Sequence, residues 1–271
     1  VAMAGERASP EQIAEIRKSY GYDRPFHEQY LNWVGRFVTG DFGRSTYLKE
    51  DVGPVLARHI PITATLGVLA LAFALLVAVP LGVIAALWPN TIIDRIALVL
   101  AVAGQAMPSF LSSLALIYGF GVMLRWLPVS GTATWQHYIL PAVALGYYAA
   151  PAIMRLTRSG MMDVLKSDHV RTARAYGLSP WRVVLRHGLR HAIIPVVAVA
   201  TVQFGYMLGG SVVVEAVFSM NGLGNLAWLS IRRYDVEVIQ AILLVIAATY
   251  AVLTLAADLL NAALDPRIRT S

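Results

Sequence analysis

No cysteine occurs in these 271 residues, so disulfides and thiol chemistry are excluded, and any segment outside a core must be held by packing. Charge is also scarce: Asp, Glu, Lys and Arg make up 14% of the chain against 57% hydrophobic residues. That balance excludes an ordinary soluble domain. Signatures of catalysis are missing too, with no His-Glu-x-x-His and no Gly-x-Ser-x-Gly. Gly40-Asp-Phe-Gly43-Arg-Ser-Thr fails as a phosphate loop, because its glycines stand too close and Arg44 replaces the lysine. His187 and His191 lie four apart on one helix face. No third ligand accompanies them, so they read as titratable groups on a basic helix rather than a metal pair. Neither an export signal nor an internal repeat is visible. The chain is expected to carry no enzyme activity, metal or cofactor of its own.

What is present is a series of nearly charge-free runs, over 60–88, 96–124, 138–154, 192–214 and 238–257. Most reach the ~20 residues a helix needs to cross ~30 Å of hydrocarbon. The pattern predicts an all-α integral membrane protein, a polytopic helical bundle with five spans in this chain. Trp88, Trp126, Trp135 and Trp228 fall near span ends, as interfacial anchors do. Pro80, Pro108, Pro141, Pro151 and Pro195 lie in or near spans, with the sharpest bend expected at Met107-Pro108. Gly205-Tyr-Met-Leu-Gly209-Gly210 reads as a close-packing signature between helices.

The net charge of +6 does not signal nucleic-acid binding. Loop 155–190 alone holds eight Lys/Arg against Asp163 and Asp168, which accounts for the whole excess and places this loop in the cytoplasm. By alternation, residues 1–59 and loop 215–237 lie outside, and within the first of these residues 9–37 read as short helices, with Ser9-Pro10 as a start signal and an apolar stripe of Tyr30, Trp33, Val34 and Phe37. Residues 60–271 form the transmembrane domain, and the Asp265–Arg269 tail lies inside. Export of residues 1–59 requires a preceding span, so a sixth helix ahead of Val1 is expected.

Within the basic loop, Ser167 or Asp168 caps a helix that stops at Gly177, a left-handed terminator. Ser179 then caps a second helix with Pro180 at its first position. Val170, Ala173 and Gly177 make a small-residue stripe flanked by Arg171 and Arg174. Two readings stand: a helix seated in a soluble partner's groove with its arginines on carboxylates, or a solvated basic loop that only fixes topology. Among polar residues in the spans, Gln105, Gln203 and Glu215 are costly against lipid and are expected to line a path or its outer gate, together with Met107. For Glu215 an interfacial carboxylate reaching water is the other reading.

The motifs Gly21-Tyr-Asp-Arg-Pro25, Gly40-Asp-Phe-Gly-Arg-Ser45, Met107-Pro-Ser-Phe110, Leu127-Pro-Val-Ser-Gly131, Arg155-Leu-Thr-Arg-Ser159, Val170-Arg-Thr-Ala-Arg-Ala-Tyr-Gly-Leu178, Gly209-Gly-Ser-Val-Val-Val-Glu215 and Asp265-Pro-Arg-Ile-Arg269 together carry a resemblance. The chain resembles, over its whole length, the permease subunits of ABC importers for dipeptides, oligopeptides, glutathione and nickel, the first of the two such subunits. The resemblance implies a six-span, multi-pass protein of the bacterial inner membrane. It implies a second homologous permease, two cytoplasmic subunits that bind ATP and Mg, and an extracytoplasmic substrate-binding protein. In that family the region corresponding to Asp168, Val170, Arg171, Thr172, Ala173, Arg174, Ala175, Gly177 and Leu178 couples to the ATPases. Here Arg171-Thr172-Ala173 stands where the family's loop has Glu-Ala-Ala, and the usual Leu-Pro ending falls later, at Ile194-Pro195. The implied cargo is a di- or oligopeptide or a glutathione-like peptide, with nickel as the alternative. An ion-gradient transporter would need paired acids near the bilayer midplane, and the spans lack them.

Overall fold

The structure is a computed structural model that describes residues 9–11, 14, 18 and 23–264. Of the N-terminal stretch predicted as short helices, Pro10, Glu11, Ala14 and Lys18 are helical. Residues 12, 13, 15–17 and 19–22, and the Asp265–Arg269 tail, lie outside the described residues, while the rest of the stretch forms the helix Phe26–Val38, as expected. Helices follow in the order α1 (Phe26–Val38), α2 (Val52–Leu87), α3 (Ile92–Ala106), α4 (Ser109–Leu116), α5 (Ile139–Leu165), α6 (Asp168–Ala175), α7 (Pro180–Val217), α8 (Leu223–Arg232) and α9 (Val236–Leu264). Extended pairing among the described residues is limited to one bridge, Arg44 with Asp51. The all-α bundle expected from the sequence is what forms.

Among the described residues four helices are continuous and apolar enough to cross a membrane: Val52–Leu87, Trp135–Leu165, Pro180–Val217 and Val236–Leu260. The remaining predicted span, 96–124, is broken in two. Met107 leaves the helix at φ −103°, ψ 135°, because the ring of Pro108 crowds the residue before it out of the α region. Pro108 then precedes α4, which runs on into a π-helical stretch, Ile117–Met123.

The continuous helices also run past the predicted runs. α2 has 36 residues, or about 54 Å of axial length, well beyond the bilayer core. Its extra turns are held because Val52, Val55 and Leu56 are buried against Leu223, Leu226, Val238 and Ile242. α5 extends to Leu165 and carries Arg155 and Arg158 on its last turns. α7 begins at Pro180 and passes through a π-type stretch, Val183–Leu189, into the fourth predicted span. The basic stretch 155–190 is therefore mostly the ends of two spans, with only residues 166–179, which contain α6, standing between them.

α5 is the centre of the bundle, flanked by α2, α3 and α7. Ala70, Ala74 and Ala78 of α2 form an i, i+4 stripe of small side chains, which lets α5 approach closely. The approach is tightest at Gly146 of α5, where a Cβ would run into the Ala70 carbonyl oxygen, and close again at Gly82 of α2, where one would lie 2.7 Å from Thr157 Cβ and 2.8 Å from the Met154 carbonyl oxygen. The predicted glycine signature in α7 is realised in part. Gly205 is buried against the ring of Tyr250 in α9, whereas Gly209 and Gly210 face open space.

Candidate functional site

The short helix α6 is built as the sequence suggested: Ser167 is its N-cap residue and Gly177, at φ +73°, follows its end. Ser179 and Pro180 open the next helix. Its orientation corrects the expectation for the small-residue stripe. Val170 (0% exposed) and Ala173 (5%) are buried against Val183, Val164, Leu165 and Leu178 of the same chain. A stripe of that kind suits any close helix packing, and this chain supplies the partner. The face left outward carries Asp168, Arg171, Thr172, Arg174 and Ala175, followed by Tyr176 and Gly177. Tyr176 is 82% exposed and Trp181 67%, so a basic surface is edged by two aromatic side chains.

Behind α6 lies a feature the sequence reading missed. Arg158 donates from Nε to Asp94 Oδ1 at 2.7 Å and from Nη2 to Oδ2 at 2.6 Å, while the Asn90 N–H donates to Oδ2 at 2.9 Å. This two-pronged pair ties the start of α3 to the end of α5, with side-chain exposures of 4% and 22% for Asp94 and Arg158. A signal was available, since Asp94 is the sole acid between Asp51 and Asp163. Two further ties follow along α3: the Tyr147 hydroxyl donates to the Leu100 carbonyl, and Gln105 Nε2 donates to the Tyr148 carbonyl at 3.4 Å.

The opposite end of the bundle is fastened by buried carboxylates. Glu215 is fully buried. Its Oε1 accepts from the Thr63 hydroxyl at 2.7 Å and its Oε2 from the Asn225 N–H at 3.0 Å, while Thr63 Oγ1 accepts from the Leu223 N–H at 2.7 Å. Leu223 and Asn225 are first-turn residues of α8, and Gly222 before them has no side chain to cap with. Glu215 and Thr63 therefore cap α8 from two other helices, and the negative charge suits that helix end. Space is tight there, since a Cβ on Gly222 would stand 2.5 Å from Thr63 Oγ1. Asp235 does similar work for residues 45–47. It accepts from the Ser45 hydroxyl and from the Thr46 and Tyr47 N–H groups at 3.3 and 3.2 Å. That, with Arg233 over the Tyr47 ring at 4.8 Å, holds a segment that no disulfide can staple.

The proposed path residues are not gathered at one point. Gln105 is exposed in the last turn of α3 and Met107 at the α3–α4 break, and Gln203 is half-buried on α7. Glu215 neither reaches water nor lines a surface of this chain, which corrects both readings of it. His191 lies beside His169, ring centroids 5.0 Å apart. Among the described residues no group of three or more His, Asp or Glu side chains is placed to hold a metal.

A bundle of long apolar helices with one broken span, and a short exposed helix between two spans, is the frame of a polytopic membrane protein. Residues 78–270 match the family described as the binding-protein-dependent transport system inner membrane component, and the chain belongs to that family. It is a multi-pass component of the inner membrane and a permease subunit of the ABC importer type. It is 41% identical over 267 residues to the glutathione transport system permease protein GsiC of Escherichia coli (strain K12), covering 98% of this chain and 87% of the relative. Identity to the protein of the same description from Salmonella typhi is 42%, with the same coverage. Among solved structures, an inward-facing MetNI methionine ABC transporter matches with a TM-score of 0.66 at 20% identity, over 78% of this chain and 96% of that one. An amino acid ABC transporter matches at 0.54 and 20% identity, over 79% and 94%. The two structural likenesses carry the fold.

Proposed function

We propose that this chain forms half of the translocation path of an ATP-driven, binding-protein-dependent importer for peptides of the glutathione or di- and oligopeptide kind. Its partners are a second homologous permease, two cytoplasmic subunits that bind ATP and Mg, and an extracytoplasmic binding protein. The observation that carries the reading is α6, a helix held on one side by its own chain and presenting Arg171, Thr172, Arg174 and Tyr176 on the other. Residues 168–178 dock on an ATPase subunit, with the arginines reaching carboxylates and Tyr176 and Trp181 packing at the rim. Because Val170 and Ala173 are packed against Leu165 and Val183, a push on α6 is delivered to α5 and α7 rather than lost in a loose loop. Two states with different contacts to cargo follow from that motion. Residues 1–59 form the extracytoplasmic segment that, with loop 215–237, meets the loaded binding protein. Kinship with glutathione permeases over 98% of the chain supports the peptide class.

The deciding experiment is ATPase activity of the reconstituted complex with its binding protein, over a panel of peptides, glutathione and Ni²⁺. Stimulation by a loaded peptide form is expected. Stimulation by Ni²⁺ alone selects the nickel reading, and uptake that follows an ion gradient without ATP overturns the importer reading. In the same preparation Arg171→Glu/Arg174→Glu is expected to lower retention of the ATPase subunits by about tenfold, on the scale of losing one charge-assisted contact and adding repulsion. Unchanged retention and coupling would place the docking face elsewhere. Gln105, Met107 and Gln203 line the path in this reading. Their joint replacement by leucine is expected to cut uptake at least tenfold while ATP binding persists, and undiminished uptake removes them from it.

A further inference from the structure

α2 backs both α5 and α7, and the contacts that seat it leave one side of each helix open. On α5, Gly146 meets the Ala70 carbonyl of α2, and on α7, Phe204 and Leu208 close on Gly67 of α2. Tyr148 stands two residues from Gly146, and Tyr206 two residues from both Phe204 and Leu208. Two residues are about 200° of helix, so both tyrosines point away from α2. Both stay exposed although α4 packs on the same two helices, and Tyr206 leans on Tyr250 of α9 at 6.2 Å between ring centroids. They also share a depth. α5 and α7 meet at Gly160, where a Cβ would lie 3.3 Å from the Ala192 carbonyl oxygen. Outward from that contact Tyr148 lies twelve residues along α5 and Tyr206 fourteen along α7, or about 18 and 21 Å of rise.

Toward the cytoplasm the open face of α5 continues as Ala152, Arg155 and Ser159, at i+4, i+7 and i+11 from Tyr148, all exposed or half-buried. This is not a face for acyl chains. Exposed positions elsewhere on the spans carry bulky aliphatics, as Ile96 and Val99 do on α3 and Leu255 and Leu259 on α9. Here the run is a phenol, a methyl, a guanidinium and a hydroxyl. Gln105 borders it from α3 through its bond to the Tyr148 carbonyl. Arg155 is the informative member. The ion pairs among the described residues are Arg58–Glu50, Arg158–Asp94 and Arg171–Asp168. Arg158 is therefore neutralised and Arg155, three residues before it, is not. Neither α5 before Asp163 nor α7 before Glu215 contains an acid to pair with it. An unpaired guanidinium on the face of a span calls for an anion from outside the chain.

We infer that Arg155 is a cargo-contacting, specificity-determining residue that takes the carboxylate of the peptide as it passes, an assignment that rests on the reading under Proposed function. Tyr148 and Tyr206 then flank the peptide backbone. Arg155 lies seven residues inward of Tyr148, about 10 Å, which is the reach of about three extended residues. A tripeptide spans from the phenols to the guanidinium. The same charge repels a free divalent cation at this depth. A lipid phosphate would also satisfy Arg155, but its acyl chains would have to cover a stripe that offers them no aliphatic side chain.

This chain has no cysteine, so Ala152→Cys places one thiol beside Arg155 in the purified full importer. Its modification by water-soluble methanethiosulfonates of opposite charge, read by mass spectrometry of this subunit, is followed with and without nucleotide. Modification is expected in at least one nucleotide state. The anionic reagent is expected to be favoured about fivefold over the cationic one, relative to free cysteine, the scale of one unit charge at short range in water. Arg155→Gln is expected to erase that preference and Arg155→Lys to keep it, while Leu255→Cys on the aliphatic face of α9 stays unmodified. No modification of Ala152→Cys in any state puts this face against lipid or the second permease and overturns the proposal, as does equal modification by both reagents. In uptake, Arg155→Gln is expected to slow entry of triglycine about tenfold and of triglycinamide little, the scale of one hydrogen bond to a charged group. An equal loss for both peptides makes Arg155 a structural residue and overturns the cargo contact. Since the thiol measurement needs no transported substrate, its outcome is separate from that of the peptide reading.

Discussion

Arg158→Ala is expected to destabilise the protein by about 3–5 kcal/mol, the range for removing one partner of a buried ion pair, and more than Asp94→Ala does. The asymmetry follows from depth. Asp94 is only 4% exposed against 22% for Arg158, so the arginine variant strands the deeper charge with the Asn90 N–H as its remaining donor. Arg158→Lys is expected to recover little, because a single ammonium cannot reproduce the two parallel bonds from Nε and Nη2. The double variant Asp94→Asn/Arg158→Met removes both charges together and is expected to melt closer to wild type than Arg158→Ala. Thermal melting of the detergent-solubilised complex measures all four. An Arg158→Ala protein that melts with wild type would mean the pair contributes nothing to the fold.

Glu215→Ala and Gly222→Ala are expected to fail in the same way, although one removes atoms and the other adds them. The first leaves the Thr63 hydroxyl and the Asn225 N–H without acceptors, at about 1–3 kcal/mol for each group stranded in a buried place. The second drives a methyl against Thr63 Oγ1 and the Glu215 carboxylate, displacing the same cap. Combined, they are expected to cost clearly less than the sum of the two, since they disable one device. Glu215→Gln keeps the shape and one oxygen, so its effect falls between. Hydrogen exchange localises the result. Protection should drop across residues 223–232 first, and uniform loss through the bundle would contradict the capping role.

These two sites also mark where the sequence could and could not be read. Span positions were legible because burying or lipid-facing runs need apolar residues over a fixed length, and Ser167, Gly177, Ser179 and Pro180 punctuate α6 through local backbone chemistry alone. The break at Met107-Pro108 was legible for the same local reason. Partners distant in sequence were not. Thr63 and Glu215 are 152 residues apart, and Asp94 and Arg158 are 64 apart, so no window of periodicity contains either pair. Glu215 was noticed as a costly polar group, but its partners belong to two other helices, and only the packed bundle brings them together. The inward turn of Val170 and Ala173 was hidden differently. A small-residue stripe says that something packs closely and leaves open which surface it is.

The three ties from α3 to α5, at Asp94, Leu100 and Gln105, span eleven residues and so about 16 Å of helix. Fastened at that spacing, α3 is a splint on α5, and the pair bends as one beam far stiffer than either rod alone. Compliance is left at the first unbraced joint, Met107-Pro108, where the intrahelical ladder is interrupted. Under the coupling proposed above, a displacement entering at the end of α5 nearest α6 would be carried along this beam to Gln105, and Met107-Pro108 is the joint at which α3 and α4 could then change angle.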